Sequence, residues 1–217
     1  LGTAQAADQL VYERKDQREW SFSGVPTDDG RYLLINVGHG TRVENMVFYQ
    51  DLKQPGKTVE LVKDFVGAFD LIGNKGSVMY FFTTYKAPKG RIVAVDVNHP
   101  EMANWKEIVA ESKDTMEGAL WSGGRLICQY LQDVKGAVRI YSLEGKKERD
   151  VQLPGAGVVS WSSNRANEKD QFYTFMSFTQ PFTVYRYDLD SGTSKVLFAP
   201  KLPFETSQYE TKQVFYP

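Results

Sequence analysis

The chain has 217 residues, enough for one sizeable core, and a net charge of −1 with acidic and basic side chains interspersed, so no basic stripe offers itself to a nucleic acid. Hydrophobic residues at 41% and aromatics at 13% exclude a disordered chain. The one cysteine, Cys128, excludes an internal disulfide framework, and no apolar run nears the roughly 20 residues of a membrane-crossing helix.

The first residues, "LGTAQAADQLVYE", have neither a basic n-region nor an apolar h-region, so they do not read as a secretion signal. They also lack an initiator Met, and the chain is expected to be a piece of something longer. A soluble protein is expected, with cytoplasm and periplasm both left open. From here on one grammar recurs. Strand-like runs follow a Gly or Asp turn: "DDGRYLLINV" at Gly30, "NKGSVMYFFTT" at Gly76, "SGGRLICQYL" at Gly124 and "NEKDQFYTFMS" at Asp170. These anchors lie about 46 residues apart, the spacing of propeller blades. The next run repeats in step, as "VFYQDL", "IVAVDV", "RIYSLE" and "VYRYDL", with a corner at Asp51, Asp96, Ser142 and Asp188. An outer run follows each ("TVELV", "KEIV", "DVQL", "SKVLF"), and a small-residue run opens each unit ("SFSGVPT", "GAFDLIG", "EGALWS", "GVVSWSS").

Val, Ile, Phe and Tyr suit a pleated, buried surface, and "DDG", "SGG", "QPGK" and "DLDSG" supply the turns. Helical periodicity is confined to "HPEMANWKEIV", with Pro100 at its first position. The predicted fold is therefore all-β, an arc of about four four-stranded antiparallel blades over residues 20–64, 65–111, 115–154 and 155–199. Residues 1–19 are read as the outer strand of a preceding blade and residues 200–217 as an exit segment. A propeller closed at four blades is the competing reading, disfavoured by surplus strands at both ends.

The segments "LGTAQAADQLVYE", "DDGRYLLINVGHGTRVENMVFYQDL", "MYFFTTYKAPKGRIVAVDV" and "FYTFMSFTQPFTVYRYDL", in this order, resemble the propeller of the prolyl oligopeptidase family of serine peptidases. The closing "YETKQVFYP" is similar to the strand that returns to that family's catalytic domain. The resemblance implies a seven-bladed propeller capping an α/β-hydrolase domain, of which this chain is the last four blades. Its partners would then be the remaining blades, the hydrolase domain and a short peptide substrate. Self-association through open blade faces is expected if the piece is isolated. The resemblance also implies contacts to the peptide, upstream of its proline, at Ser21 and at Thr41 in "GHGTRVEN". Family members often carry Met or Cys there, so Ser and Thr imply a smaller, more polar subsite.

The departure from the family is chemical. No Ser sits in a G-x-S-x-G elbow, and the only histidines, His39 and His99, read as solvated turn residues. No catalysis is expected from this chain alone, and no cofactor or metal. "DLDSG" lacks the further ligands of a calcium loop and reads as a turn, while "EGKKERD" reads as a solvated hairpin tip. Trp121 and Trp161, at matching places on first strands, are expected to pack between blades, and Cys128 to act as a small buried hydrophobe. Functionally, the first reading is the gating propeller of a prolyl endopeptidase acting on short peptides. The alternatives are a stand-alone propeller that binds a protein or small ligand, and a family member of other specificity.

Overall fold

In the computed structural model, which describes residues 2–54, 56–162, 167–203 and 205–216, the chain divides into two compact units, 1–69 and 70–217. The first carries one antiparallel sheet, β1 (Trp20–Pro26), β2 (Tyr32–His39), β3 (Met46–Asp51) and β4 (Thr58–Val62), in that order. Trp20 lies opposite His39, Tyr32 opposite Asp51, and Gln50 opposite Thr58. Ile35, Val37, Met46 and Phe48 form its core, with Tyr12, Trp20 and Phe65 packed against them. β3 is buried from Met46 to Gln50, whereas β1 is exposed from Ser21 onward.

The second unit stacks three more such sheets: β5 (Phe69–Lys75) to β8 (Lys106–Val109), β9 (Thr115–Ser122) to β12 (Lys147–Asp150), and β13 (Val158–Trp161) to β16 (Thr193–Phe198). Their middle strands are β6 (Val78–Thr83), β7 (Arg91–Asp96), β10 (Arg125–Gln132), β11 (Lys135–Ser142), β14 (Asp170–Met176) and β15 (Thr183–Asp188). The pleat explains how the middle sheet serves two neighbours. Leu126, Cys128 and Tyr130 point toward Tyr80, Ile92 and Ala94 of the preceding sheet. Ile127, with Ile140 and Val138, points toward Trp161, Tyr173 and Tyr187 of the following one. Each fully buried side chain of this size contributes about 2 kcal/mol.

Both tryptophans sit in these seams, as expected. Trp121 meets Tyr80 of the preceding sheet edge-on, ring centroids 5.1 Å apart. Trp161 stacks on Tyr173 (4.9 Å, 21°), which stacks in turn on Tyr185 (4.9 Å, 5°), and the Trp161 backbone N–H donates to Gln129 Oε1 across the seam (2.9 Å). Cys128 is fully buried. A polar clamp reinforces the middle sheet: buried Asp114 holds Arg139, whose guanidinium lies 4.2 Å from the Tyr130 ring centre.

The repeat has a local cause. Asp51, Asp96, Ser142 and Asp188 are the last residues of β3, β7, β11 and β15. In each, the side-chain oxygen accepts the backbone N–H two residues on: Lys53 (2.9 Å), Asn98 (3.0 Å), Glu144 (3.2 Å) and Asp190 (3.1 Å). A hydroxyl at Ser142 makes the turn that carboxylates make elsewhere, because either acceptor satisfies the same donor. The Asn98 N–H holds the Asp96 carboxyl below the usual carboxylate range, and at Asp188 the Ser191 N–H does so first, with the Asp190 N–H adding to it.

Five expectations change. The outer strand of the third sheet is Lys147–Asp150, not "DVQL" at 150–153. The hairpin tip closes early, with Ser142 N–H donating to the Lys146 carbonyl (2.9 Å) and Gly145 N–H to the Ser142 carbonyl (3.0 Å). Thus most of "EGKKERD" is edge strand, where charges are tolerated, and Val151 and Leu153 turn into the core after it. Residues 1–19, read as the outer strand of a preceding blade, hold no strand among the described residues. Instead Tyr12 packs on Phe22 (5.5 Å) and Phe48 (5.8 Å), and Val11 accepts a hydrogen bond from Gln50 Nε2 (3.2 Å). Residues 209–216 likewise form no strand. In "HPEMANWKEIV" the helical turn spans Met102–Asn104, and Pro100 precedes it, its carbonyl accepting from Trp105 Nε1 (2.9 Å). No helix of the described residues is long and apolar enough to cross a membrane.

Candidate functional site

Each sheet has a corner end, just described, and an opposite end where the second strand turns into the third. Ser21 and Thr41 both fall at the opposite end of the first sheet. Ser21 is the second residue of β1 and lies across from Gly38. A Cβ at position 38 would stand 2.7 Å from Ser21 Oγ, so glycine there is what leaves the hydroxyl room. After His39, Gly40 takes a left-handed conformation (φ 58°), and Arg42 N–H donates to the His39 carbonyl (3.3 Å), closing the turn. Thr41, at the crest of that turn, is exposed, as is Ser21. The register thus brings both hydroxyls to one end of one sheet.

What lies beneath them is an aromatic platform. Phe65 meets Trp20 (6.0 Å, 80°) and His39 (5.7 Å, 37°), and the Arg42 guanidinium stands over it at 5.9 Å. Arg14 covers the Trp20 ring (5.1 Å), and its guanidinium, hydrogen-bonded to Asp16, lowers that carboxyl to about 2. His39 is not the solvated turn residue expected. It ends β2, half-buried, and its Nε2 is paired with Glu19 Oε2 at 2.9 Å. The partners are 20 residues apart and meet only because Trp20 and His39 are in register, which no local motif announces. The platform residue Phe65 had no sequence signal either.

The chemistry available here is recognition. Hydroxyls, an imidazole–carboxylate pair and a guanidinium can accept or donate to a polar group, and the His39 ring nitrogen nearest a partner is engaged by a carboxylate, not by a nucleophile. His99 is exposed in the turn after β7. Burial pushes the Cys128 thiol well above its ordinary value, far from a reactive thiolate. At the corner end, Asp188 accepts from its own turn and Asp190 pairs with Lys169 (2.8 Å) and Arg125 (3.4 Å), so "DLDSG" is a turn held by cations.

In the second unit, the same opposite end of the last two sheets shapes a groove of about 600 Å³, lined by Val134, Val158, Met176 and Phe178 beside Thr211 and Gln213. Phe178 is 99% exposed and Val134 83%. Both sit on turns, and nothing in the sequence pattern singles either one out.

Comparison with known proteins adds the following. Residues 1–200 match the family model described as the prolyl oligopeptidase N-terminal beta-propeller domain. The prolyl endopeptidases of Elizabethkingia meningoseptica and Elizabethkingia miricola are 30% and 29% identical over 216 residues, covering 100% of this chain and 30% of theirs. A solved chain from an analysis of two prolyl endopeptidases is 32% identical, with a TM-score of 0.90 over 100% of this chain and 32% of its own. Prolyl oligopeptidase B of Galerina marginata, without ligand, superposes with a TM-score of 0.92 at 23% identity, a likeness of fold. The chain therefore spans about a third of the length of the relatives it matches.

Proposed function

Since the chain belongs to the N-terminal propeller domain of the prolyl oligopeptidase family, with its four sheets matching part of that propeller, we propose that it gates the access of short proline-containing peptides to an α/β-hydrolase active site elsewhere in a longer protein. The observation that carries this reading is the match to prolyl endopeptidases across all of the chain, in order and in fold. On this reading the nucleophilic Ser, its His base and the oxyanion hole belong to the hydrolase domain. The propeller acts sterically and by position: a wide globular substrate is kept from the nucleophile, and side chains on the propeller hold a peptide in register with it.

The blades on this reading are residues 20–64, 65–111, 115–154 and 155–199, and Ser21 and Thr41 face the peptide upstream of its proline. Their exposure at one end of the sheet and the room left at Gly38 support the assignment. A small, polar side chain fits this subsite better than a large apolar one. The exposed Val134 and Phe178, in the second unit, suit contact with the hydrolase domain.

The test is expression of the full reading frame. Short peptides are expected to be cut after proline and folded proteins spared. In the double variant Ser21→Met, Thr41→Met, the ratio of kcat/KM for an apolar over a polar residue upstream of proline should rise about tenfold, the size of one buried apolar contact. A frame that encodes no hydrolase segment, or one that cuts folded proteins as readily as peptides, overturns gating. An unchanged ratio removes Ser21 and Thr41 from the subsite.

A further inference from the structure

We infer that Arg42, in the turn after β2, makes this end of the first sheet an anion-reading subsite, so that peptides bearing a carboxylate side chain upstream of the proline are preferred. The inference rests on the gating reading above and names its substrate class.

The first observation is one of unspent charge. Among the described arginines, all but Arg18, Arg42 and Arg149 pair with a carboxylate, and Arg149 reaches the Asp190 carbonyl. Arg18 and Arg42 are exposed and flank the same strand end: Arg18 lies two residues before Trp20, and Arg42 three residues after its partner His39. The second observation is fixation. Arg42 is held over Phe65, and Phe65 is itself held by Trp20 and His39, so the cation is aimed and not adrift in solvent. The third is the balance of acids nearby. Glu19 is held by His39, and neither Glu44, two residues beyond Arg42, nor Asp64, beside Phe65, forms an ion pair with Arg42 among the described residues. Ser21 and Thr41 add hydroxyl donors of the kind a carboxylate accepts. A guanidinium held over Phe65 and two exposed hydroxyls at the same strand end suit an Asp or Glu side chain better than an amide or an ammonium.

The experiment uses the full-length protein and three peptides identical except for Glu, Gln or Lys two residues before the proline. Expected are kcat/KM values in the order Glu, Gln, Lys, with Glu over Gln by about fivefold, the reach of a partly exposed ion pair, and a preference that shrinks at high salt. Arg42→Gln should level Glu with Gln, and Arg42→Glu should invert the order of Glu and Lys. Equal rates for all three peptides, or a preference that survives Arg42→Glu, overturn the inference while leaving gating intact. If no peptide is cut after proline, gating fails. Fluorescence anisotropy of the same labelled peptides on the same protein then decides the inference alone: tighter binding of the Glu peptide sustains it, and equal binding ends it.

Discussion

The two ends of each sheet are built on different terms. At the corner end, four turns made from three aspartates and a serine repeat one hydrogen bond at 2.9–3.2 Å. At the other end no two turns agree. The first sheet has a polar loop over an aromatic platform, the third a tight turn at Asp133 and Val134, both with positive φ (47° and 62°), and the fourth a loop that leaves Phe178 bare. A repeat persists where the turn only has to close. It diverges at the end where the proposed peptide contacts lie.

The comparison can be broken at its strictest point first. Gly145 lies in the corner turn of the third sheet at φ 88°, and a Cβ there would stand 1.8 Å from the Ile108 carbonyl oxygen of the neighbouring sheet. Gly145→Ala should cost about 4 kcal/mol, from left-handed strain and a clash with backbone. Gly30, in the corner-end turn between β1 and β2, has φ 65° and open space, so Gly30→Ala should cost only about 1 kcal/mol. Denaturant melts of the two variants give the contrast, and equal losses would mean that the corner ends do not interlock.

Next is Asp114, at the variable end but only 7% exposed and clamped to Arg139. Asp114→Ala leaves the guanidinium over Tyr130 with the exposed Asp150 carboxylate, 3.8 Å away, as its remaining counter-ion and should cost about 3 kcal/mol in chemical denaturation. A loss below 1 kcal/mol would reduce that clamp to a surface pair.

A smaller effect sharpens the corner itself. Ser142→Ala deletes one turn acceptor and should cost about 1 kcal/mol, whereas Ser142→Thr keeps the oxygen and should be nearly neutral. Matching losses for the two would show that the hydroxyl does not hold the turn.

The smallest effect is on pH dependence. Asp188 is held below its ordinary value of 3.8, first by the Ser191 backbone N–H, so the folded state favours the ionised form. That contribution is present above the unfolded value and is lost as pH falls through the folded one. The melting temperature of wild type should exceed that of Asp188→Asn by a constant margin down to about pH 4 and by a narrowing margin below it. A margin that stays flat under acid would separate the carboxylate from the turn.

Much of this architecture was legible in the chain. The Gly and Asp anchors mark the first hairpin of each sheet, and the corner residues mark the end of each third strand, even at Ser142, where position spoke louder than residue type. The β12 strand escaped because "KERD" carries turn-like charges, and only pairing to β11 makes it an edge strand. The front segment looked like a strand from its apolar pattern, yet Tyr12 spends that pattern on packing against Phe22 and Phe48. At the site, Ser21 and Thr41 entered through resemblance. Glu19–His39, Phe65 and the lone charge of Arg42 depend on register between distant residues, which no window of sequence contains.

The ladder of Trp161, Tyr173 and Tyr185 has a use in the laboratory. Tyr173 and Tyr185 stack on Trp161 within the fourth sheet, while the Trp161 backbone is tied to Gln129 of the adjoining sheet and its ring is buried. A parting of the third and fourth sheets would let water reach the indole and shift its emission to longer wavelength, with no dye attached.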